Sequence, residues 1–439
     1  MSVLAGTQVQ DTLLVTGGVP LSGEVQAGGS KNAALPLLAA AALPAGGTGL
    51  DNVPACADVE AMSGLLTEAG WPVQAGDSPG HVRVGAVAPG LTQPVLSGAS
   101  RIRASYYLVP ALLAAYGQAS LPWPGGCSVG ERGMDLHFTV YEAFGDTAQT
   151  SPAGYVIRAA AGARGTVRVA LPFRSRGATV AALLRGVSAG RPVVIGNPNL
   201  SAELYAVYRA LEAAGCAVEV TGQAVTMEPG DPASPVRWRV PGDKIEAGTL
   251  ACAIAATGGS GQVRGVQPDD LAPLAAALNV LGIPVAATAA GGGTLEIPSD
   301  WEPSGRPLNG TASLEPGGLD ADWEPGLLAL AIGLPGLHRF ADAINPGRHA
   351  NLVPQLRALG AVITETSTTA CLVRGPQALS AARVRAADIR TGSALLIAAL
   401  TATGTTVISE LSQLRRGHAD LPGTLRLLGA AITSGKAPS

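Results

Sequence analysis

Leu65-Leu66-Thr67-Glu68-Ala69-Gly70-Trp71-Pro72-Val73 reads as a helix that stops on a glycine and turns directly into a strand. Its Leu and Ala residues fall at helical spacing, and Gly70 stands where a left-handed helix cap is expected. The same phrase returns as ALEAAGCAVEV at 210–220, QLRALGAVI at 355–363 and LRLLGAAI at 425–432. Six glycines mark the series: Gly70, Gly145, Gly215, Gly282, Gly360 and Gly429. They lie roughly 70 residues apart, too far for a solenoid unit and suitable for a compact supersecondary module.

A second phrase precedes these turns. A helix of small residues, a glycine turn and a strand occur together in AAALPAGGTGLDNV at 40–53, GVSAGRPVVIGN at 186–197, ACAIAATGGSGQVRGV at 251–266 and IAALTATGTTVISEL at 397–411. Each module therefore holds two helices with strands around them. The Ala-rich helix is apolar on every face and belongs in a core. With 439 residues, two cores are expected, and three modules per domain would put the small-residue helices inside and the strands outside.

Hydrophobic residues make up 47% of the chain and charged residues 14%, which excludes a disordered protein. A net charge of −3 and the absence of any Lys/Arg run give no case for nucleic acid or a membrane surface. The apolar stretches 33–50 and 271–293 are broken by Pro, Asn or Gly and do not read as membrane spans. Residues 1–15 lack the basic start, apolar core and cleavage site of a signal peptide, so a cytoplasmic location is expected. Cys56, Cys127, Cys216, Cys252 and Cys371 are odd in number and scattered, against disulfides or structural metal. His81, His137, His338, His349 and His418 show no ligand spacing and read as structural or exposed, so no metal or cofactor is expected.

Two segments carry candidate chemistry. In 124–137, PGGCSVGERGMDLH, four glycines bracket Cys127, and Arg132 offers a cation for phosphate or carboxylate. Such a loop reads as a lid. In 28–34, GGSKNAA, a glycine turn delivers Lys31 and Asn32 to the mouth of an apolar helix. An ammonium there opposes the helix dipole, which a bound anion would explain and a solvated lysine beside a turn would not require.

These two segments, together with Ile102-Arg103-Ala104-Ser105, Asp243-Lys244-Ile245-Glu246-Ala247-Gly248-Thr249 and Asp388-Ile389-Arg390, resemble the UDP-N-acetylglucosamine 1-carboxyvinyltransferases, members of the enolpyruvyl transferases. The resemblance follows the chain in order over nearly its whole length. It implies a two-domain inside-out α/β barrel, each domain of three βαβαββ repeats. Residues 31–242 would form one domain, and residues 1–30 with 243–439 the other. The site would lie in the cleft between them.

The activity implied is transfer of the enolpyruvyl group of phosphoenolpyruvate to UDP-N-acetylglucosamine, with Cys127 as acid, Asp320 as base, and Lys31 and Arg416 as further catalytic groups. Phosphoenolpyruvate would be held by Lys31, Asn32, Arg132, Arg390 and Arg416, because guanidinium forks suit phosphate and carboxylate. The sugar nucleotide would meet Asn32, Arg103, Arg132, Gly133, Met134, Asp135, Leu136, Ser175, Arg176, Gly177, Asp320 and Ala343. From the residues alone, Asp320 could equally be a helix cap or loop carboxylate, and Asp322 is a neighbouring rival. A monomer or weak oligomer is expected.

The sequence departs from the family pattern at several points. Gly133 stands where Pro is usual, Ser201-Ala202-Glu203 where Glu-Pro-Glu is usual, and 345–349, NPGRH, lacks the Glu-Asn-Arg-Phe form. Arg415-Arg416-Gly417-His418-Ala419 replaces Asp-Arg-Gly-Tyr-Glu, so Arg416 loses its acidic sequence neighbours. Rival readings are a paralogue that binds UDP-sugar without turnover, the related enolpyruvyl shikimate-phosphate synthase, and an RNA cyclase, the last disfavoured by the lack of a basic face.

Overall fold

The computed structural model describes residues 12–87, 92–125, 133–230, 235–289 and 293–435. Its unit is the predicted module. Val167–Ala170, helix Arg176–Ala189, Val193–Gly196, helix Ala202–Ala213, Ala217–Val220 and Ala224–Glu228 follow one another as βαβαββ. The first two strands pair in parallel and the last two add antiparallel, with the final strand inserted between its predecessor and the second. The order repeats from Asn309–Thr311 to Ala370–Gly375. All six marker glycines adopt φ between +86° and +98°, the left-handed cap that a Cβ would strain.

The two helices of each module differ in burial. Lys31–Ala40, Val109–Tyr116, Arg176–Ala189, Lys244–Ala256, Glu324–Ile332 and Ile389–Thr401 are buried along most of their length. Their Ala and Gly residues let them pack against one another with the sheets around them, the inside-out order that their all-round apolar character demands. Buried apolar residues form two separate clusters, one drawn from 33–240 and the other from 13–27 together with 245–432. The fold is thus a two-domain α/β architecture.

One module departs from the expected six equal units. Among the described residues its sheet has three strands, Gln118–Pro122, Gly154–Arg158 and Thr147–Ser151. Along the edge strand Gln118–Pro122, the Gln93 side-chain amide receives the Ser120 N–H at 2.9 Å and donates to its carbonyl at 2.9 Å. A side chain thereby satisfies groups that a fourth strand would have bonded, beside Pro94, which has no N–H to give.

The chain passes between the two clusters twice. Strands Thr12–Thr16 and Ser22–Gln26 pair with late strands, Thr405–Ser409, Ala431–Gly435 and Ser260–Arg264, whereas Val236–Arg239 pairs with the early Thr48–Asp51. The crossing segments run side by side: Ser30 N–H donates to Pro241 O and Asp243 N–H to Gly28 O, each at 2.8 Å. A Cβ on Gly242 would stand 1.8 Å from Gly265 O, so glycine is obligatory there.

Gly360 and Gly242 separate strain from collision. A Cβ at Gly360, φ +97°, meets nothing within 4 Å. Gly360→Ala is expected to lower the unfolding free energy by about 1–2 kcal/mol through backbone strain alone. Gly242→Ala, which requires backbone displacement, should lower it further; urea unfolding of both variants checks the order.

Candidate active site

Between the two clusters lies a cleft of about 1160 Å³. Four helices that open onto it begin with a cation: Lys31, Arg176, Lys244 and Arg348 are the first residues of their helices, and Arg390 is the second of Ile389–Thr401. Asp243 and Asp388 cap two of these helices by accepting backbone N–H groups, and the Ser175 hydroxyl caps a third. A cation at a helix start opposes the dipole, and each of the five has a carboxylate against it.

Three ionic groups result. Asp58 receives Lys31 Nζ at 3.2 Å and Arg416 Nε at 2.9 Å, linking the two sides of the cleft. Asp58 is thus an acidic partner for Arg416 that its own sequence neighbours do not provide. Asp322 lies between Arg348 Nη2 at 2.8 Å and Arg390 Nη2 at 2.9 Å, while Arg348 also pairs with Asp342 at 3.0 Å. Burial pushes the Asp322 carboxyl up, but Arg390 and Arg348 outweigh it and hold it well below the usual carboxylate range. In the third group, Lys244 Nζ is 3.0 Å from Asp320 and 3.7 Å from Glu203, and Arg176 is 3.5 Å from Glu203. Burial raises Glu203, yet Lys244 and Arg176 bring it down to about 2.

The cleft wall includes Lys31, Asn32, Arg103, Gly133, Asp135, Leu136, Ser175, Arg176, Gly177, Asp320, Arg390 and Arg416 from the expected set. Met134 is buried below the start of helix Asp135–Ala143, and Ala343 is exposed in a turn whose neighbours Ile344 and Asn345 face the cleft. Cys127 and Arg132 lie outside the described residues. The other four cysteines are buried; burial pushes Cys252 and Cys371 up to about 12 and raises Cys56 and Cys216.

Sequence reasoning missed Asp58 and Arg174, and gave no role to Lys244 or Glu203. Arg174 donates to Glu315 at 3.0 Å and to the carbonyls of Pro198 and Gly222, tying the turn before Asp320 to the opposite wall. Two of the histidines expected to be structural or exposed pack among the charges near the site. His418 Nε2 lies 3.4 Å from Arg390 Nη1, and buried His349 pairs with Glu324 at 2.8 Å. Charges placed at the ends of apolar helices were the available signal.

The family model described as EPSP synthase (3-phosphoshikimate 1-carboxyvinyltransferase) matches residues 15–292 and 347–425. The UDP-N-acetylglucosamine 1-carboxyvinyltransferase of Chlorobium limicola is 33% identical over 428 residues, 97% of this chain and 99% of that protein. The chain belongs to the enolpyruvyl transferase family. UDP-N-acetylglucosamine 1-carboxyvinyltransferase 3 of Symbiobacterium thermophilum is 35% identical over 426 residues, 96% of this chain and 97% of its own. In fold, the transferase matches the crystal structure of the enolpyruvyl transferase NikO from Streptomyces tendae with a TM-score of 0.82, at 24% identity over 98% of this chain and 100% of that one.

Within this enolpyruvyl transferase, His137 faces the cleft with both ring nitrogens unbonded and 4% exposure. Burial, aided by the Arg103 charge, lowers its pKa from 6.5 to about 3. The unfolded chain therefore takes up a proton below about pH 6.5 that the folded ring refuses, and stability falls with pH by about 1.4 kcal/mol per unit from this group. In His137→Gln the loss of unfolding free energy between pH 7 and pH 5 should be smaller by about 2 kcal/mol, as read from urea midpoints at the two pH values.

Proposed function

We propose that the protein transfers the enolpyruvyl group of phosphoenolpyruvate to the 3-hydroxyl of UDP-N-acetylglucosamine and releases phosphate, the first committed step of peptidoglycan synthesis, in the cytoplasm. The observation that carries this reading is the set of cations that share one cleft with Asp320: Lys31, Arg390 and Arg416 face it from three different helices. No helix among the described residues is long and apolar enough to cross a membrane. The names of the relatives from Chlorobium limicola and Symbiobacterium thermophilum supply the acceptor.

In this mechanism Lys31, Arg132, Arg390 and Arg416 hold the phosphate and carboxylate of the donor. Asp320 takes the proton of the sugar hydroxyl, whose oxygen attacks C2 of phosphoenolpyruvate, while Cys127 protonates the methylene carbon. The resulting phospho-ketal loses a proton from that carbon and expels phosphate, leaving the enolpyruvyl ether. Asp320 suits the base better than Asp322 for a geometric reason. Its Oδ1 accepts the Asp322 N–H at 2.9 Å and its Oδ2 meets a single lysine, whereas Asp322 is shared by two guanidinium groups.

One observation favours a sugar-nucleotide-binding protein without turnover: Asp322 already occupies Arg390 and Arg348, which an anionic donor would have to share. Phosphate release separates the two. Release should require both UDP-N-acetylglucosamine and phosphoenolpyruvate, fail with shikimate 3-phosphate, and fall by about 10²–10⁴ in Asp320→Asn and Cys127→Ala. Intact UDP-sugar binding with no release would support the binding protein.

The epoxide fosfomycin should alkylate Cys127 alone, because the other four thiols are buried and held protonated. Mass spectrometry after trypsin digestion would locate the adduct, and none on Cys127 would contradict the assignment of this thiol.

A further inference from the structure

Lys244 belongs to a motif that the mechanism above leaves without a task, yet it sits where the two sides of the cleft meet. It follows the second crossing segment and opens helix Lys244–Ala256, with Asp243 as the cap. Its ammonium is 10% exposed and lies 3.0 Å from Asp320 Oδ2, 3.7 Å from Glu203 Oε2 and 5.3 Å from the centre of the Trp323 ring. Glu203 comes from helix Ala202–Ala213 on the opposite wall; its two oxygens are buried and have no hydrogen-bond donor. The turn that carries Asp320 is tied to the same helix start. Trp323 N–H donates to Asp320 O at 3.0 Å and its indole Nε1–H to Lys244 O at 3.0 Å.

We propose that Lys244 is the positioning residue of the transfer reaction, aiming the Asp320 carboxylate into the cleft, with Glu203 as the anchor that holds the ammonium from the other wall. The proposal rests on the reading of Asp320 as the base. An unpaired ammonium this deeply buried would be unstable, and the two carboxylates compensate its burial. Burial lowers the Lys244 pKa, but Glu203 and Asp320 outweigh it and raise it above the usual lysine value.

The charges around the pair have distinct places. Arg176 shares Glu203 with Lys244 and also feels Asp320. Asp270, on helix Pro268–Leu281, feels the Lys244 charge, and Arg390 feels that of Asp320 while bonding Asp322. Among the described residues, Lys244 is the group in ion-pair contact with Asp320. Glu203 pulls the ammonium from the far side and sets how closely it approaches.

The test is kcat and KM for phosphate release from UDP-N-acetylglucosamine and phosphoenolpyruvate, in the wild type, Lys244→Met, Lys244→Arg, Glu203→Gln and Asp320→Asn. Loss of the ammonium that aims the base should lower kcat at least about tenfold at neutral pH in Lys244→Met, with KM changing less. Lys244→Arg should restore kcat, and Glu203→Gln should lower kcat less than Lys244→Met does. Phosphoenolpyruvate binding, followed by isothermal titration, should change less than kcat.

Lys244→Met leaves Glu203 with Arg176 alone. Should that variant unfold, the double variant Lys244→Met/Glu203→Gln removes the buried carboxylate as well and carries the same prediction. A folded Lys244→Met with undiminished kcat overturns the proposal. Full activity in Asp320→Asn would instead remove the base assignment itself, and is distinguishable because it leaves no carboxylate for Lys244 to orient.

Discussion

The structure turns on cations placed at the starts of apolar helices. Lys31, Arg176, Lys244, Arg348 and Arg390 stand against the positive end of a helix dipole, an arrangement unfavourable by roughly 0.3–1 kcal/mol each at exposed sites. They are also largely withdrawn from water, which makes an unpaired charge far more unfavourable than the dipole does. The fold answers with carboxylates: Asp58, Glu203, Asp320, Asp322 and Asp342 each meet one or two of them. In the proposed function, an incoming phosphate or carboxylate would enter a site already near charge balance and exchange with an internal carboxylate rather than neutralise a bare cation.

The inside-out arrangement explains why the charges sit where they do. A helix surrounded by other helices and sheets has little face left for polar groups, and a charge within it needs a buried partner, as Arg185 has in Asp146; its first turn at the cleft is where a charged side chain can reach an open space. Ile389–Thr401 shows this plainly, with Arg390 at its second position and apolar or small buried residues over most of the remainder. The fold then brings carboxylates of the 33–240 side against cations of the other, as Asp58 with Arg416 and Glu203 with Lys244 show, and the reverse, as Arg174 with Glu315 shows.

Much of the fold was legible because its signals are local. Each marker glycine does one job, a left-handed cap, and a single residue type records it; Gly70, Gly282 and Gly429 share it across 359 residues of chain, from 70 to 429. The three-stranded sheet was hidden, since no pattern announces that the amide of Gln93 will take a strand's bonds at Ser120. In the site, the dipole reasoning that singled out Lys31 applies equally to Arg176, Lys244 and Arg348, but it needs the first residue of each helix, the least certain part of any reading from sequence. Partners were harder still. The residues beside Arg416 at 415–419 include no carboxylate, and the structure provides Asp58, 358 positions away.

Asp320 and Asp322 show how two like residues in one turn acquire opposite roles. Asp322 accepts from two guanidinium groups, so protonation is suppressed and its oxygens are committed to holding Arg348 and Arg390 in register. Asp320 spends one oxygen on the Asp322 N–H and leaves the other to a lysine whose charge is divided with Glu203. A carboxylate that must accept a proton during turnover cannot sit between two arginines without losing its affinity for that proton. One that shares an ammonium with an anchor on the other wall suits the proposed role of base better, and the sharing is possible because Glu203 lies on one wall of the cleft and Asp320 on the other.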